Sequence, residues 1–153
     1  MKRFLASGFG VGLVWQNIFG NKKGGGTLAP LIFTFLVYFL NLNILELSIV
    51  FVTLLLIYFY SVEDYYADED PSWITLDEIV GMSLVSLASP AEMLPLIAGF
   101  LVFRASDILK QPKFVSQLED YPGKLGVLFD DLGAGLLGLL CATIVYQFSL
   151  LTL

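Results

Sequence analysis

The apolar positions of this chain come in long uninterrupted blocks. No charged residue occurs between Gly24 and Leu45, and the continuous part from Leu28 to Leu42, with its flanks, supplies the roughly 20 residues that a membrane-crossing helix requires. Glu46 interrupts the pattern, and a second uncharged block runs from Leu47 to Val62. The Asn41, Asn43 and Glu46 region therefore predicts a tight turn between two antiparallel helices. Residues 63–70 are acidic and Tyr-rich, with Pro71 after them, and predict a solvated loop. Ile79 to Ala91 and Leu94 to Phe103 are apolar but short, with Pro90 and Pro95 around the break. They fit either a hairpin with a buried tip or two helices whose charged ends lie at the interface. Residues 111–126 are polar and hold Pro112, Pro122, Gly123 and Gly126, and Leu132 to Leu153 is the clearest membrane helix.

Membrane helices are predicted near residues 28–43, 45–61, 77–90, 91–108 and 129–151. The amino terminus starts like a signal peptide at Lys2 and Arg3, but Gly8, Gly10 and Gly12 interrupt its apolar stretch and no small-residue cleavage site follows, so it reads as a retained, partly helical interfacial segment. The expected fold is all-α: a polytopic integral membrane bundle of four to five helices, forming one domain over residues 1–153. Lys2, Arg3, Lys22 and Lys23 before the first helix, and Lys110, Lys113 and Lys124 in the last long loop, place both regions in the cytoplasm.

Composition sharpens this picture. The chain has 153 residues, of which 57% are hydrophobic and only 14% charged, against about 25% charged in ordinary soluble domains. A net charge of -6 argues against nucleic acid. Histidine is absent, which removes the commonest general base and zinc ligand, and the lone Cys141 can form no internal disulfide. Any chemistry must run on carboxylates, hydroxyls, Lys, Arg and a hard metal.

The charged minority gathers at helix ends. Asp77 and Glu78 open one apolar helix, Arg104 and Asp107 close the next, and Asp130 and Asp131 open the last. Each has a structural explanation: Thr75 and Glu78 fit a capping box, Arg104 and Asp107 fit a same-face salt bridge, and one acidic residue near 130 suits the positive end of a helix. A second carboxylate there, beside a bilayer, points to a cation. Oxygen ligands without histidine or a cysteine cluster match magnesium. Adjacent residues on a helix point about 100° apart, so one of Asp130 and Asp131 is expected to be a direct ligand and the other a base or an outer group. Arg104, Lys110 and the loop Lys22-Lys23-Gly24-Gly25-Gly26-Thr27 offer donors to a phosphate.

The order of the motifs resembles the phosphatidylglycerophosphatase A family of small bacterial membrane phosphatases. The resemblance is carried by Ser7-Gly8-Phe9-Gly10-Val11-Gly12-Leu13, Gly26-Thr27, Asp70-Pro71, Asp77-Glu78-Ile79-Val80-Gly81, Phe103-Arg104-Ala105-Ser106-Asp107-Ile108-Leu109-Lys110, Gly126-Val127-Leu128-Phe129-Asp130-Asp131 and Ala134-Gly135. The chain departs from the family's pattern in an apparent insertion from about Val14 to Lys22, in Gln111-Pro112-Lys113, where the family reads Pro-Trp-Pro, and in Gly123-Lys124, where it has a double glycine. The resemblance implies Mg2+-dependent hydrolysis of phosphatidylglycerophosphate to phosphatidylglycerol and phosphate, in phospholipid biosynthesis at the cytoplasmic face of the bacterial inner membrane. It implies a metal site built from Asp77, Glu78, Asp130 and Asp131 with Asp107 and Asp70 nearby, and catalytic roles for Asp77, Asp130 and Asp131. Arg104 and Lys110 would hold phosphoryl oxygens and Thr27 would donate a hydrogen bond. The partner is a membrane lipid, with a homo-oligomer left open. Asp68-Glu69-Asp70 has the spacing of an aspartyl nucleophile motif but follows no strand, and is discounted. Histidine-dependent lipid phosphatases and alcohol phosphatidyltransferases are excluded by their missing motifs. The rival reading is a small oligomeric cation carrier or channel with an acidic ring.

Overall fold

The computed structural model describes residues 1–20, 24–67, 71–88 and 92–152. These residues form helices and no strand: α1 (Lys2–Ala6), α2 (Val11–Phe19), α3 (Gly25–Leu40), α4 (Ile44–Ser61), α5 (Asp64–Ala67), α6 (Leu76–Ser86), α7 (Met93–Leu109), α8 (Lys113–Glu119) and α9 (Lys124–Thr152). The all-α expectation holds. Two of the helices, Ile44–Ser61 and Lys124–Leu151, are long and apolar enough to cross a membrane, with mean hydropathy 2.1 and 1.8. The expected four to five are thus not all of spanning length: α3 has 16 residues, α7 has 17 and α6 has 11. At about 1.5 Å per residue, α6 covers only about 16 Å.

The predicted turn between α3 and α4 is present. Asn41 takes a left-handed conformation that ends α3. Asn43 then caps α4: its side chain accepts from the Leu45 and Glu46 amides, and Glu46 accepts from the Asn43 amide at 2.8 Å. A reciprocal capping box therefore forms here. The one expected at Thr75 does not: Thr75 precedes α6 without a side-chain cap. The amide Glu78 would have to satisfy is already used, since Thr75 N–H donates to the Ala6 carbonyl at 3.1 Å.

Two segments read as loops contain short helices, α5 and α8. Glu63 to Asp70 is partly helical up to Ala67, and residues 68–70 lie outside the described residues. The last helix also starts earlier than predicted, at Lys124, because Pro122 and a left-handed Gly123 (φ 61°) set its start. The amino-terminal segment is helical in two pieces and packs onto the loop before α6, with Gly12 against the Trp73 carbonyl.

Buried α6 organises the bundle. Nine of its 11 residues are buried, and it joins both apolar cores. One core includes Leu54, Tyr58, Leu76, Val80 and Leu128; the other includes Leu47, Met82, Val85, Leu96 and Phe103. Small residues set the approach to α9. A methyl group on Gly135 would stand 2.8 Å from the Gly81 carbonyl oxygen, and one on Gly81 would stand 2.9 Å from the Asp131 carbonyl oxygen. Gly99 of α7 and Gly138 of α9 face each other in the same way, at 3.0 and 2.7 Å from the partner's carbonyl. Backbones this close gain dispersion contacts, the term that drives helix association where lipid removes the hydrophobic one.

The polar groups separate along the bundle. Tyr58 Oη donates to the Lys124 carbonyl at 2.7 Å, placing the end of α4 beside the start of α9. Ser149, near the end of α9, donates to Glu92 before α7 at 3.3 Å. The starts of α3, α6 and α9 and the end of α7 thus share one end of the molecule.

Candidate active site

Four helices meet at that end. Asp77 and Glu78 lie in the first turn of α6, Asp131 lies in α9, and one carboxylate oxygen from each is within 4.8 Å of the others. The geometry follows from spacing. Asp77 and Gly81 lie four residues apart, as do Asp131 and Gly135, so each glycine sits on the same helix face as its aspartate, one turn further on. Where Gly81 and Gly135 let the backbones touch, the two aspartates are carried together. Gly26 closes another side: a methyl group there would collide with Glu78 Oε1.

The cluster has unmet demands. Asp77 and Asp131 are 5% and 4% exposed. Asp77 Oδ1, Glu78 Oε2 and Asp131 Oδ1 are buried with no hydrogen-bond partner, as are Thr75 Oγ1 and Ser72 Oγ. Burial of carboxylate oxygens without a partner or counter-charge is costly. Three converging oxygen ligands with free lone pairs suit a hard divalent cation, so the residues present fit the magnesium ion that the sequence suggests.

Beside the acidic cluster stands a basic one. Arg104 donates from Nη2 to Thr27 Oγ1 at 3.3 Å, and its Nη1 lies 2.7 Å from Asp107 Oδ2. That ion pair is not aligned as a hydrogen bond, and Nε and Nη1 retain unused N–H groups. Lys110, left-handed at the end of α7 (φ 50°), reaches Asp107 Oδ1 at 3.3 Å, Glu119 Oε2 at 3.8 Å and Asp130 Oδ2 in a close ion pair. Burial pulls the pKa of Lys110 down, but the hydrogen bond and charge of Asp130, with Asp107 and Glu119, outweigh it and hold the ammonium above its ordinary value of 10.5.

The structure therefore divides the candidate residues. Asp77, Glu78 and Asp131 come together. Asp130 turns to Lys110 and caps the Asp131 amide with Oδ1 at 2.9 Å. Asp107 bridges Arg104 and Lys110, Thr27 accepts from Arg104, and Asp70 lies outside the described residues. The expected Arg104–Asp107 salt bridge is present. Glu119 and the unpartnered hydroxyl of Thr75 join the site without having been singled out for it, and Gly26, read as part of a phosphate-binding loop, makes room for Glu78; no local motif marks Glu119, which closes α8.

Residues 4–146 match the family described as phosphatidylglycerophosphatase A. A 70-residue stretch, 44% of the chain, is 41% identical to a protein of Bacteroides thetaiotaomicron provisionally named phosphatidylinositol-3-phosphatase. The matched stretch spans 43% of that relative's length. No solved structure matches the chain. Since the family match runs across nearly all of the sequence, including every helix of the site, the chain belongs to the phosphatidylglycerophosphatase A family.

Proposed function

We propose that this protein hydrolyses the phosphate monoester of a membrane lipid, phosphatidylglycerophosphate, releasing phosphatidylglycerol and inorganic phosphate. The observation that carries the reading is the convergence of Asp77, Glu78 and Asp131, with unpartnered oxygens, next to an arginine with unused N–H groups. Family membership supplies the substrate class.

Asp77, Glu78 and Asp131 would hold Mg2+, which, when bound, supplies charge neutralisation for phosphoryl oxygens and a more acidic water. The protein's own groups do the rest. Arg104, anchored by Thr27 and Asp107, offers its free N–H groups to phosphoryl oxygens. Lys110, held by Asp107, Asp130 and Glu119, adds positive charge at the rim, and Asp130 acts as its positioning residue. A carboxylate of the cluster accepts the proton of the attacking water. The new bond joins that oxygen to phosphorus, the bond from phosphorus to the glycerol oxygen breaks, and the glycerol oxygen takes up the proton that the carboxylate accepted, which restores the carboxylate.

In this reading α3, α4, α7 and α9 lie in the bilayer around the shorter α6. Outward-facing apolar residues such as Phe39, Leu56, Leu101 and Ile144 support it, and the basic residues Lys2, Arg3, Lys110, Lys113 and Lys124 favour the cytoplasmic face of the inner membrane for the site. A lipid phosphate then meets the site at the interface without leaving the membrane. A cation carrier fits less well: the acidic groups stand at one end of the bundle, with Arg104 and Lys110 beside them.

The test is phosphate release in detergent from phosphatidylglycerophosphate and from phosphatidylinositol 3-phosphate, each with Mg2+ or with chelator. Release from the first that is abolished by chelator is expected. Faster release from the second would assign the inositol lipid instead, and no release from either would favour the carrier.

A further inference from the structure

Between α3 and α4, under the turn that joins α1 to α2, lies a cavity of about 330 Å³. Every side chain that lines it is apolar, Ile32, Leu36, Val50, Leu54 and Ile79 among them. Gly8 and Ile79 line its inner end, where it borders the candidate site. Ile79 follows Glu78 directly, and Gly8 packs against it there: a methyl group on Gly8 would stand 2.8 Å from Ile79 Cδ1 and 2.6 Å from Thr75 Oγ1, whose hydroxyl borders the carboxylate cluster. Its outer end opens sideways, since Ile32 and Leu36 of α3 are 39% and 51% exposed on the bundle's outer face.

The turn at its mouth is strained. Gly8, Phe9 and Gly10 all have positive φ, 62°, 57° and 96°. Glycine adopts this conformation freely, but a phenylalanine there is held against its preference. The surrounding contacts hold it: Gly10 N–H donates to Ser7 Oγ at 3.1 Å, and Phe9 meets Phe4 edge-on at 6.5 Å between ring centroids. Strain that the fold maintains gathers at ligand clamps, and here it keeps an aromatic ring over the cavity.

We propose that this cavity holds one acyl chain of the lipid whose phosphate lies at Asp77, Glu78 and Asp131, with Phe9 as its lip; the proposal rests on the lipid-phosphatase reading above. A polar ligand would leave its own groups unpaired against this wall. An alkyl chain matches it, and a lipid with its phosphate at the carboxylates has its tails within reach of Ile79. The opening between Ile32 and Leu36 lets the chain enter from the bilayer. The site would therefore read the tail as well as the headgroup.

Two measurements test this on the full chain. In the first, phosphatidylglycerol carrying a diazirine near an acyl terminus is photo-crosslinked to the protein in detergent, and the adducts are mapped. Because this lipid is not hydrolysed, the result does not depend on catalysis. Adducts on Ile32, Leu36 or Val50 that are lost in Leu36→Trp are expected; adducts confined to other faces, such as those of α7 and α9, would overturn the proposal. In the second, kcat/KM is compared for long-chain and dihexanoyl phosphatidylglycerophosphate. Filling the cavity with Leu36→Trp or Val50→Trp should lower the long-to-short ratio by about tenfold, whereas Ile144→Trp, on the exposed face of α9, should not change it. An unchanged ratio in both cavity variants, with the native chain active, would also overturn the assignment. No hydrolysis of either lipid by the native chain would instead defeat the phosphatase reading, and the crosslinking map alone would then decide whether the cavity binds an acyl chain.

Discussion

Asp77-Glu78 and Asp130-Asp131 are both adjacent acidic pairs near the starts of apolar helices, yet the fold uses them differently. Both members of the first pair face the carboxylate cluster. Glutamate's extra methylene lets Glu78 reach back across the angle between neighbouring helix positions, and Gly26 leaves room for it. The second pair is split: Asp131 joins the cluster, and Asp130 forms the ion pair with Lys110. Two short aspartates about 100° apart cannot both serve one centre from a regular helix. The same two-residue acidic motif thus supplies two members of the carboxylate cluster in one helix, and one member and one ion-pair partner in the other.

The largest effect should come from the shared cluster. Asp131→Asn and Asp77→Asn are expected to lower kcat by about 10³-fold, as loss of a group acting directly on the reacting charge does. The same substitutions should raise the melting temperature in chelator by about 2–4 °C, since they relieve crowding of buried carboxylates; a fall in melting temperature would mean that the cluster is structural.

Next is the helix contact that brings the pairs together. Gly135→Ala places a methyl group 2.8 Å from the Gly81 carbonyl, should cost about 1–3 kcal/mol of stability, and should lower activity by about 10²-fold by displacing Asp131. Unfolding curves and kcat for this one variant check both.

Asp130→Asn should cost less, about 10–100-fold, as the loss of a supporting partner does. Its effect should not add to that of Lys110→Met, because the two residues act as one pair, with a coupling of about 0.5–3 kcal/mol in a double-mutant cycle. The Lys110 pKa is raised, so the stabilisation from its pairing is fully present below 10.5 and is lost only as pH rises through the higher folded value. The smallest effect belongs to the opposite end of the bundle. Asn43→Ala removes the α4 capping box and should cost about 1 kcal/mol of stability, with kcat unchanged.

Much of this architecture could be read from the uncharged blocks, because a helix in an apolar surrounding must satisfy its backbone internally and is limited by where charge resumes. That logic finds α3, α4, α7 and α9 and the turn at Asn41 to Asn43. It misses α5 and α8, which are short helices in polar segments without a long apolar block. It also overextends α6 as a membrane helix, since an apolar sequence does not distinguish a helix facing lipid from one enclosed by other helices. The members of the site were visible as charges at helix ends, but their division was not. Which of Asp130 and Asp131 turns inward depends on the face that α9 presents to α6. The sequence holds that information in the parallel spacings from Asp77 to Gly81 and from Asp131 to Gly135. It becomes readable only once the two glycines are known to touch. The capping box at Thr75 failed for a non-local reason: Ala6, far away in the chain, already takes the amide.

The most direct test of the central claim is the Mg2+ dependence of phosphate release from phosphatidylglycerophosphate in the native chain, Asp130→Asn and Asp131→Asn. If Asp131 shares the cation with Asp77 and Glu78 while Asp130 holds Lys110, Asp130→Asn will show reduced release that half-saturates at the native Mg2+ concentration, and Asp131→Asn will show almost none at any concentration. Release by the native chain that persists in chelator, or a shifted Mg2+ requirement in Asp130→Asn with Asp131→Asn unaffected, would contradict the account.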